Sequence, residues 1–352
     1  MSKSRVQKKF RAIHAYIRML RRQLTNDPEA LVITGHAVLR SKHPWQRRFA
    51  EDMFRRAAEK GDPAGMVSLA EILVDHGDDT VAEDWYRKAA AAGLPIAMHN
   101  LGVLANRRGA REDSTRWFRM GDEAGYPDSA LALANMLGDT AEAVALLRRT
   151  ADAGHPDAMN YLGVQLQRSG DHVEAEIWFR RAEETRSDPL FQCNIGICCV
   201  RRGDHAAAEH WYRKAAVAGG VDGMDSLAHH LDEQGYSAEA GFWWRKAAET
   251  GDVDAMFDYA ITCDEQGRST EAEYWYRKSA MAGDPRAMNN LAILLAERDG
   301  NDAEAESWLH KSAAAGFIRA MRNLADRYQR RGDDHQAQYW SRQADAADKN
   351  PS

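Results

Sequence analysis

The stretch E-A-E-Y-W-Y-R-K-S-A-M-A-G-D-P, from Glu271 to Pro285, returns in close copies down nearly the whole chain. Residues equivalent to Trp275 are Met53, Trp85, Trp117, Leu146, Trp178, Trp211, Trp243, Trp308 and Trp340, at steps of 29 to 33 residues. Ten units at a nearly fixed period describe an array in which each unit buries its apolar face on its neighbours. For a chain of 352 residues this replaces the expectation of two or three globular domains with one elongated domain.

Each copy reads as a helix end, a turn and the next helix start. Ala272, Trp275, Tyr276 and Ser279, at spacings of three, one and three, fall on one stripe of a helix that has to be buried. Arg277 and Lys278 suit the negative end of the helix dipole, and their stems can cover apolar surface. Gly283 supplies a left-handed stop, and Pro285 a first turn that needs no amide hydrogen. The following helix carries its apolar face on Met288, Leu291, Ala292 and Leu295. Met recurs in the first of these slots at 66, 98, 159, 224, 256 and 321, and a small residue fills the third at Ala70, Gly102, Ala134, Gly163, Gly196, Ala228, Ala260 and Ala325. Each unit is therefore a closely packed antiparallel helix pair. Eight of the ten tryptophans share the Trp275 slot, which assigns them to packing between units and not to a ligand shelf; the methionine stripe is likewise core.

At 44% hydrophobic and 28% charged residues, the composition suits stacked amphipathic helices with a wide wetted surface. The four cysteines, Cys193, Cys198, Cys199 and Cys263, show no C-x-x-C spacing and read as small core residues. No apolar run reaches the roughly 18 residues that span a bilayer. The first 24 residues have no uninterrupted apolar segment of the secretory kind. A cytoplasmic protein is expected.

Residues 1–24 hold eight basic residues and no acid, with Val6, Phe10, Ile13, Ile17, Leu20 and Leu24 every three or four positions, so residues 1–26 form a basic amphipathic helix. Through residue 60 there are 15 basic and 5 acidic residues; against the net charge of −6 for the chain, the remainder carries −16. Two readings stand side by side. The helix caps the first unit, or it docks on anionic membrane or nucleic acid. The array then fills residues 27–347, followed by a tail at 348–352.

The pattern of Leu291-Ala292, Leu295, Ala272, Tyr276 and a small residue at 279 resembles the tetratricopeptide repeat, and W-Y-R-K-A-A-x-A-G at Trp85 and Trp211 is similar to the Sel1-like subclass. The resemblance implies an all-α, α-α superhelical solenoid of about ten helix-turn-helix repeats that binds a peptide or partner protein along a concave groove. The chain departs from the family pattern in its period of about 32, in a short unit without Trp around Leu146, and in a one-residue insertion near Ser187.

The sequence lacks H-E-x-x-H, a phosphate-binding glycine loop, G-x-S-x-G and a dinucleotide fingerprint, so no catalytic residue, cofactor or small-molecule substrate is assigned. The adjacent His229-His230 pair points about 100° apart on a helix, and no metal is expected there. No helix-turn-helix precedes the array.

Counted from Gly219 and Gly251, the first-helix positions that face away from the core carry Asp222, Asp225, Asp232, Glu233, Asp254, Asp264 and Glu265, with no Lys or Arg among them. Asp222 and Asp254 suit the positive end of the dipole, whereas Asp232, Glu233, Asp264 and Glu265 lie near helix ends where the dipole opposes them. Other units place Arg107, Arg168 and Arg201 at the last of these positions. Asn100, Asn194, Asn290 and Asn323, one position after the second, resemble the asparagines that hold peptide backbones in the tetratricopeptide family, without that family's lysine partners. A basic peptide or partner protein is the expected ligand.

Overall fold

The computed structural model describes residues 27–39, 44–297 and 302–349. The basic segment 1–26 and the last three residues of the tail lie outside the described residues. Within them the chain is all-helical, with twenty helices and no strand.

The described helices fall into two compact units, divided between Gln165 and Leu166. The first contains α1 (Pro28–Leu39), α2 (Pro44–Glu59), α3 (Pro63–Asp75), α4 (Asp79–Ala91), α5 (Pro95–Arg107), α6 (Arg111–Glu123), α7 (Pro127–Leu137), α8 (Ala141–Asp152) and most of α9 (Pro156–Arg168). The second contains α10 (His172–Thr185), α11 (Pro189–Arg201), α12 (His205–Val217), α13 (Val221–Glu233), α14 (Ser237–Thr250), α15 (Val253–Glu265), α16 (Ser269–Met281), α17 (Pro285–Ala296), α18 (Asp302–Ala314), α19 (Ile318–Arg330) and α20 (Asp334–Lys349). In each unit consecutive helices pack in pairs, and each pair packs on the next, as the α-α solenoid pattern requires.

The Gly283 turn shows how the punctuation works. Gly283 has φ +106°, its N–H donates to the Ala280 carbonyl at 3.1 Å, and the Asp284 N–H donates to the Ser279 carbonyl at 3.2 Å. This is the Schellman arrangement, which satisfies the last carbonyls of α16 and needs a residue tolerant of positive φ. Asp284, buried, then accepts the Arg286 N–H at 2.8 Å and caps α17.

The insertion near Ser187 replaces this device. Arg186 is extended, and the buried carboxylate of Glu183 gathers the Ser187 hydroxyl, the Asp188 N–H, the Gln192 amide and, at 2.8 Å, the Lys214 ammonium. Burial pushes the Glu183 pKa up, but these four donors outweigh it and hold the carboxyl below its ordinary range.

The core follows the expected stripes with one correction. The most deeply buried aromatic slot is the residue after the tryptophan: Phe54, Tyr86, Phe118, Phe179, Tyr212, Trp244 and Tyr276 are buried. Of the eight tryptophans in the repeated slot, only Trp178 and Trp275 are buried, and the others are half-buried. The physical reason is the 100° step between neighbours on a helix, which turns one ring into the pair interface and leaves the other at its rim. There a basic residue three positions on roofs the indole: Lys88 lies 4.0 Å from the Trp85 ring centre, Lys214 4.7 Å from Trp211, Lys278 4.8 Å from Trp275 and Lys311 4.0 Å from Trp308. Six of the seven stripe methionines are buried, and so are all four cysteines, as free thiols. Burial pushes the Cys198 thiol up to about 11, the opposite of an activated thiolate.

Candidate functional site

First helices of successive pairs stand side by side, as α11 does with α13. Their facing positions are one residue out of register. The residue six after the turn position on one helix, Gly283 before α17 and Ser187 in its place before α11, meets the residue seven after the glycine on the next. Cys193 Sγ lies 3.4 Å from Ser226 Oγ, and Asn323 Nδ2 donates to Asn289 Oδ1 at 2.8 Å. The pairs form a polar ladder between first helices.

The predicted acidic residues of α13 and α15 all belong to the second compact unit. Asp222, Asp232, Glu233, Asp254, Asp264 and Glu265 are exposed, and Asp225 is half-buried. Asp254 pairs with Arg286 from the start of α17, whose guanidinium also bonds Asp284 and lies 4.5 Å from the Phe257 ring centre. Asp232 accepts the Ser237 hydroxyl at 2.8 Å. Among the described residues, Asp232, Glu233, Asp264 and Glu265 belong to no ion pair. They contrast with the second helices, where Arg213 bridges Glu209 and Glu239 at 2.5 Å each, and Arg277 bridges Glu273 at 3.0 Å and Glu304 at 2.5 Å.

Arg107, Arg168 and Arg201 are exposed at the ends of α5, α9 and α11; Arg107 belongs to the first unit and the other two to the second. Arg107 borders a shallow cavity with Glu71, Asp75, Tyr86 and Asn100. The asparagine slot is more committed to the fold than the sequence suggests. Asn194 is buried; Asn100, Asn290 and Asn323 are half-buried. Asn290 Nδ2 donates to Tyr276 Oη at 3.5 Å, and burial pushes that phenol up to about 12.

One grouping was not anticipated. The histidine pair diverges as expected, with His230 buried and its Nε2 3.2 Å from the His205 carbonyl and 2.8 Å from the Gln234 amide. His229, however, stands between two carboxylates, with Nε2 3.6 Å from Asp225 Oδ1 and 3.5 Å from Asp258 Oδ2. Asp258 had no place among the predicted site residues. Its signal was available: it occupies the slot held by asparagine at 100, 194, 290 and 323. Trp244 packs edge-on against His229, ring centres 5.2 Å apart. The Asp258 carboxylate favours the imidazolium and moves the His229 pKa up against desolvation, with Asp225 adding to it. Burial pushes the Asp225 pKa up, and the neighbouring His229 charge works against this.

No helix among the described residues is long and apolar enough to cross a membrane.

The Sel1 repeat family model matches residues 43–62, 73–94, 193–219, 237–252, 253–284, 285–317 and 318–344, about half of the chain, and a tetratricopeptide repeat model matches residues 137–189. Among solved structures, a protective antigen present in uropathogenic Escherichia coli strains, displaying an SLR fold, is 25% identical, with 93% of this chain and 79% of that one covered and a TM-score of 0.55. A Sel1 repeat protein from Oxalobacter formigenes is 23% identical, with 86% and 94% covered and a TM-score of 0.55. Yeast Tom70, at 16% identity with 93% and 66% covered and a TM-score of 0.50, shares the fold alone. Comparison with curated proteins gives no match. The helix pairs, their glycine turns and the repeat models that run through both compact units lead to one conclusion: the chain belongs to the Sel1 repeat family.

Proposed function

We propose that this protein is an interaction scaffold that holds a basic peptide or basic partner surface against the first helices α13 and α15. The observation that carries this reading is the pair of acidic helix ends, Asp232-Glu233 and Asp264-Glu265. Carboxylates there are opposed by the helix dipole and by one another, and they stand as two adjacent pairs with no cation beside them among the described residues, whereas Glu239, Glu249, Asp254 and Asp302 of the same unit each pair with an arginine. A retained, uncompensated charge of one sign is what steers a partner of the opposite sign. The repeat fold, which generally serves protein–protein interaction, supports the class of function; catalysis has no support in the sequence motifs.

Residues 1–26 act in this reading as the cap of the first pair. Removing residues 1–24 lowers the melting temperature, because a terminal repeat without its cap exposes an apolar face. An unchanged melting temperature together with lost binding to anionic vesicles would transfer the role to membrane docking.

The reading is tested by selecting peptides from a random display library on the full chain. Selection of Lys- and Arg-rich sequences whose binding weakens as salt rises supports it. Selection of acidic or apolar sequences with no salt dependence would overturn it.

A further inference from the structure

We infer that Asp225, His229 and Asp258 bind a divalent transition-metal ion of the zinc class between the neighbouring first helices α13 and α15. The three side chains can each offer one ligand atom, and these atoms lie within 4.8 Å of one another. The spacing discriminates between a hydrogen-bonded triad and a metal site. The separations from His229 Nε2, 3.6 Å to Asp225 Oδ1 and 3.5 Å to Asp258 Oδ2, are long for N–H···O bonds, whose usual length is about 2.9 Å. They are close to the edge of a tetrahedron built on metal bonds of about 2.0–2.2 Å, which is about 3.4 Å.

The position in the ladder gives a second argument. At this step α11 and α13 place a thiol against a hydroxyl, and α17 and α19 place two amides that bond each other. At Asp225 and Asp258 the same step sets two carboxylates, which have no proton to share when ionised. The protonated His229 ring reaches both only at 3.5–3.6 Å, and a metal ion on the neutral ring would bind both carboxylates and the imidazole nitrogen directly.

A third observation is independent of the cluster's composition. Asp225 Oδ1, one of the proposed ligand atoms, is buried without a hydrogen-bond partner. Beside it Trp244, only 6% exposed and edge-on to His229, turns its indole N–H towards this carboxylate and draws its pKa down without closing a hydrogen bond of ordinary geometry. A buried carboxylate oxygen that its neighbours reach only at long range costs free energy, and coordination removes that cost.

The donor set names the class of ion. One imidazole nitrogen with two carboxylate oxygens suits Zn²⁺ and its neighbours in the first transition row, whereas Ca²⁺ and Mg²⁺ take oxygen ligands in larger number. His229 is 53% exposed at its side chain, so the ion has a path from solvent, and three protein ligands leave a coordination position open. No electron transfer or bond cleavage is involved.

The test is equilibrium dialysis of tag-free, chelator-treated full chain against Zn²⁺, with Ca²⁺ in parallel. The comparison variant is Asp225→Asn with Asp258→Asn, which rebuilds the Asn289–Asn323 pairing at this step and so keeps a pairing the fold already uses; His229→Gln is the second variant. Circular dichroism verifies that each is folded. The wild type takes up one more equivalent of Zn²⁺ than either variant, and Zn²⁺ raises the melting temperature of the wild type alone. Equal uptake by the wild type and a folded variant, no uptake by the wild type, or preference for Ca²⁺ overturns the inference.

Discussion

Tyr212 lies against Gly196 so closely that a Cβ built on the glycine would stand 2.4 Å from the tyrosine ring. The same relation joins Gly102 to Phe118 at 2.6 Å and Gly35 to Phe54 at 2.5 Å. In each pair the first helix gives up a side chain so that the second can seat a full aromatic ring against its backbone. Gly196→Ala gains helix propensity of about 1 kcal/mol but overpacks the interface by about 1–3 kcal/mol, so the net change destabilises. The urea midpoint falls; a rise would show that the ring has room to retreat.

Trp275 and Tyr276 differ in depth despite adjacent positions. Tyr276 is 1% exposed and Trp275 7%, with Lys278 lying over the indole. Tyr276→Ala costs about 3–5 kcal/mol through the cavity it leaves. Lys278→Ala costs about 0.5–1 kcal/mol, the value of a cation–π contact at an accessible site. Denaturant titration of both variants gives the ranking, and equal losses would contradict the assignment of Tyr276 to the centre and Lys278 to the rim.

His99 packs between Phe118 and Tyr126, 5.3 Å from each ring centre, with Ser129 Oγ 3.4 Å from its Nδ1. Desolvation lowers its pKa, against a smaller upward pull from Asp128. The folded state therefore binds this proton less readily than the unfolded state, whose histidine titrates near about 6.5. The contribution is present above that pH and is lost as pH falls through it towards the folded value. Melting temperature measured from pH 8 to pH 5 falls more steeply for the wild type than for His99→Leu. Parallel profiles would place the acid sensitivity elsewhere.

The period, the helix pairing, the glycine stops and the small-residue slots were legible because each is fixed by local spacing and residue type. Gly283 with its Schellman turn and Gly196 beneath Tyr212 are plain cases. Which of two adjacent aromatics goes deepest was not legible, since both lie on the apolar stripe and only the neighbouring pair decides. The acidic positions on α13 and α15 were legible as outward-facing. Their neighbours across units were not: Arg286 reaches Asp254 and Asp258 approaches His229 through the packing of one first helix on the next, which no single unit reveals. The bonds that Asn290 and Asn323 make to Tyr276 and Asn289 were not legible either, because each partner lies on another helix.

The central claim is that the acidic ends of α13 and α15 hold a basic partner. Reversing Asp232, Glu233, Asp264 and Glu265 to lysine changes four exposed side chains outside the core, so circular dichroism and the melting temperature stay close to those of the wild type. Fluorescence anisotropy with a Lys- and Arg-rich peptide selected on the wild type then measures the claim directly. The account predicts at least a tenfold weaker Kd for the variant, about 1.4 kcal/mol, and loss of most of the salt dependence. An unchanged Kd in a folded variant would contradict it.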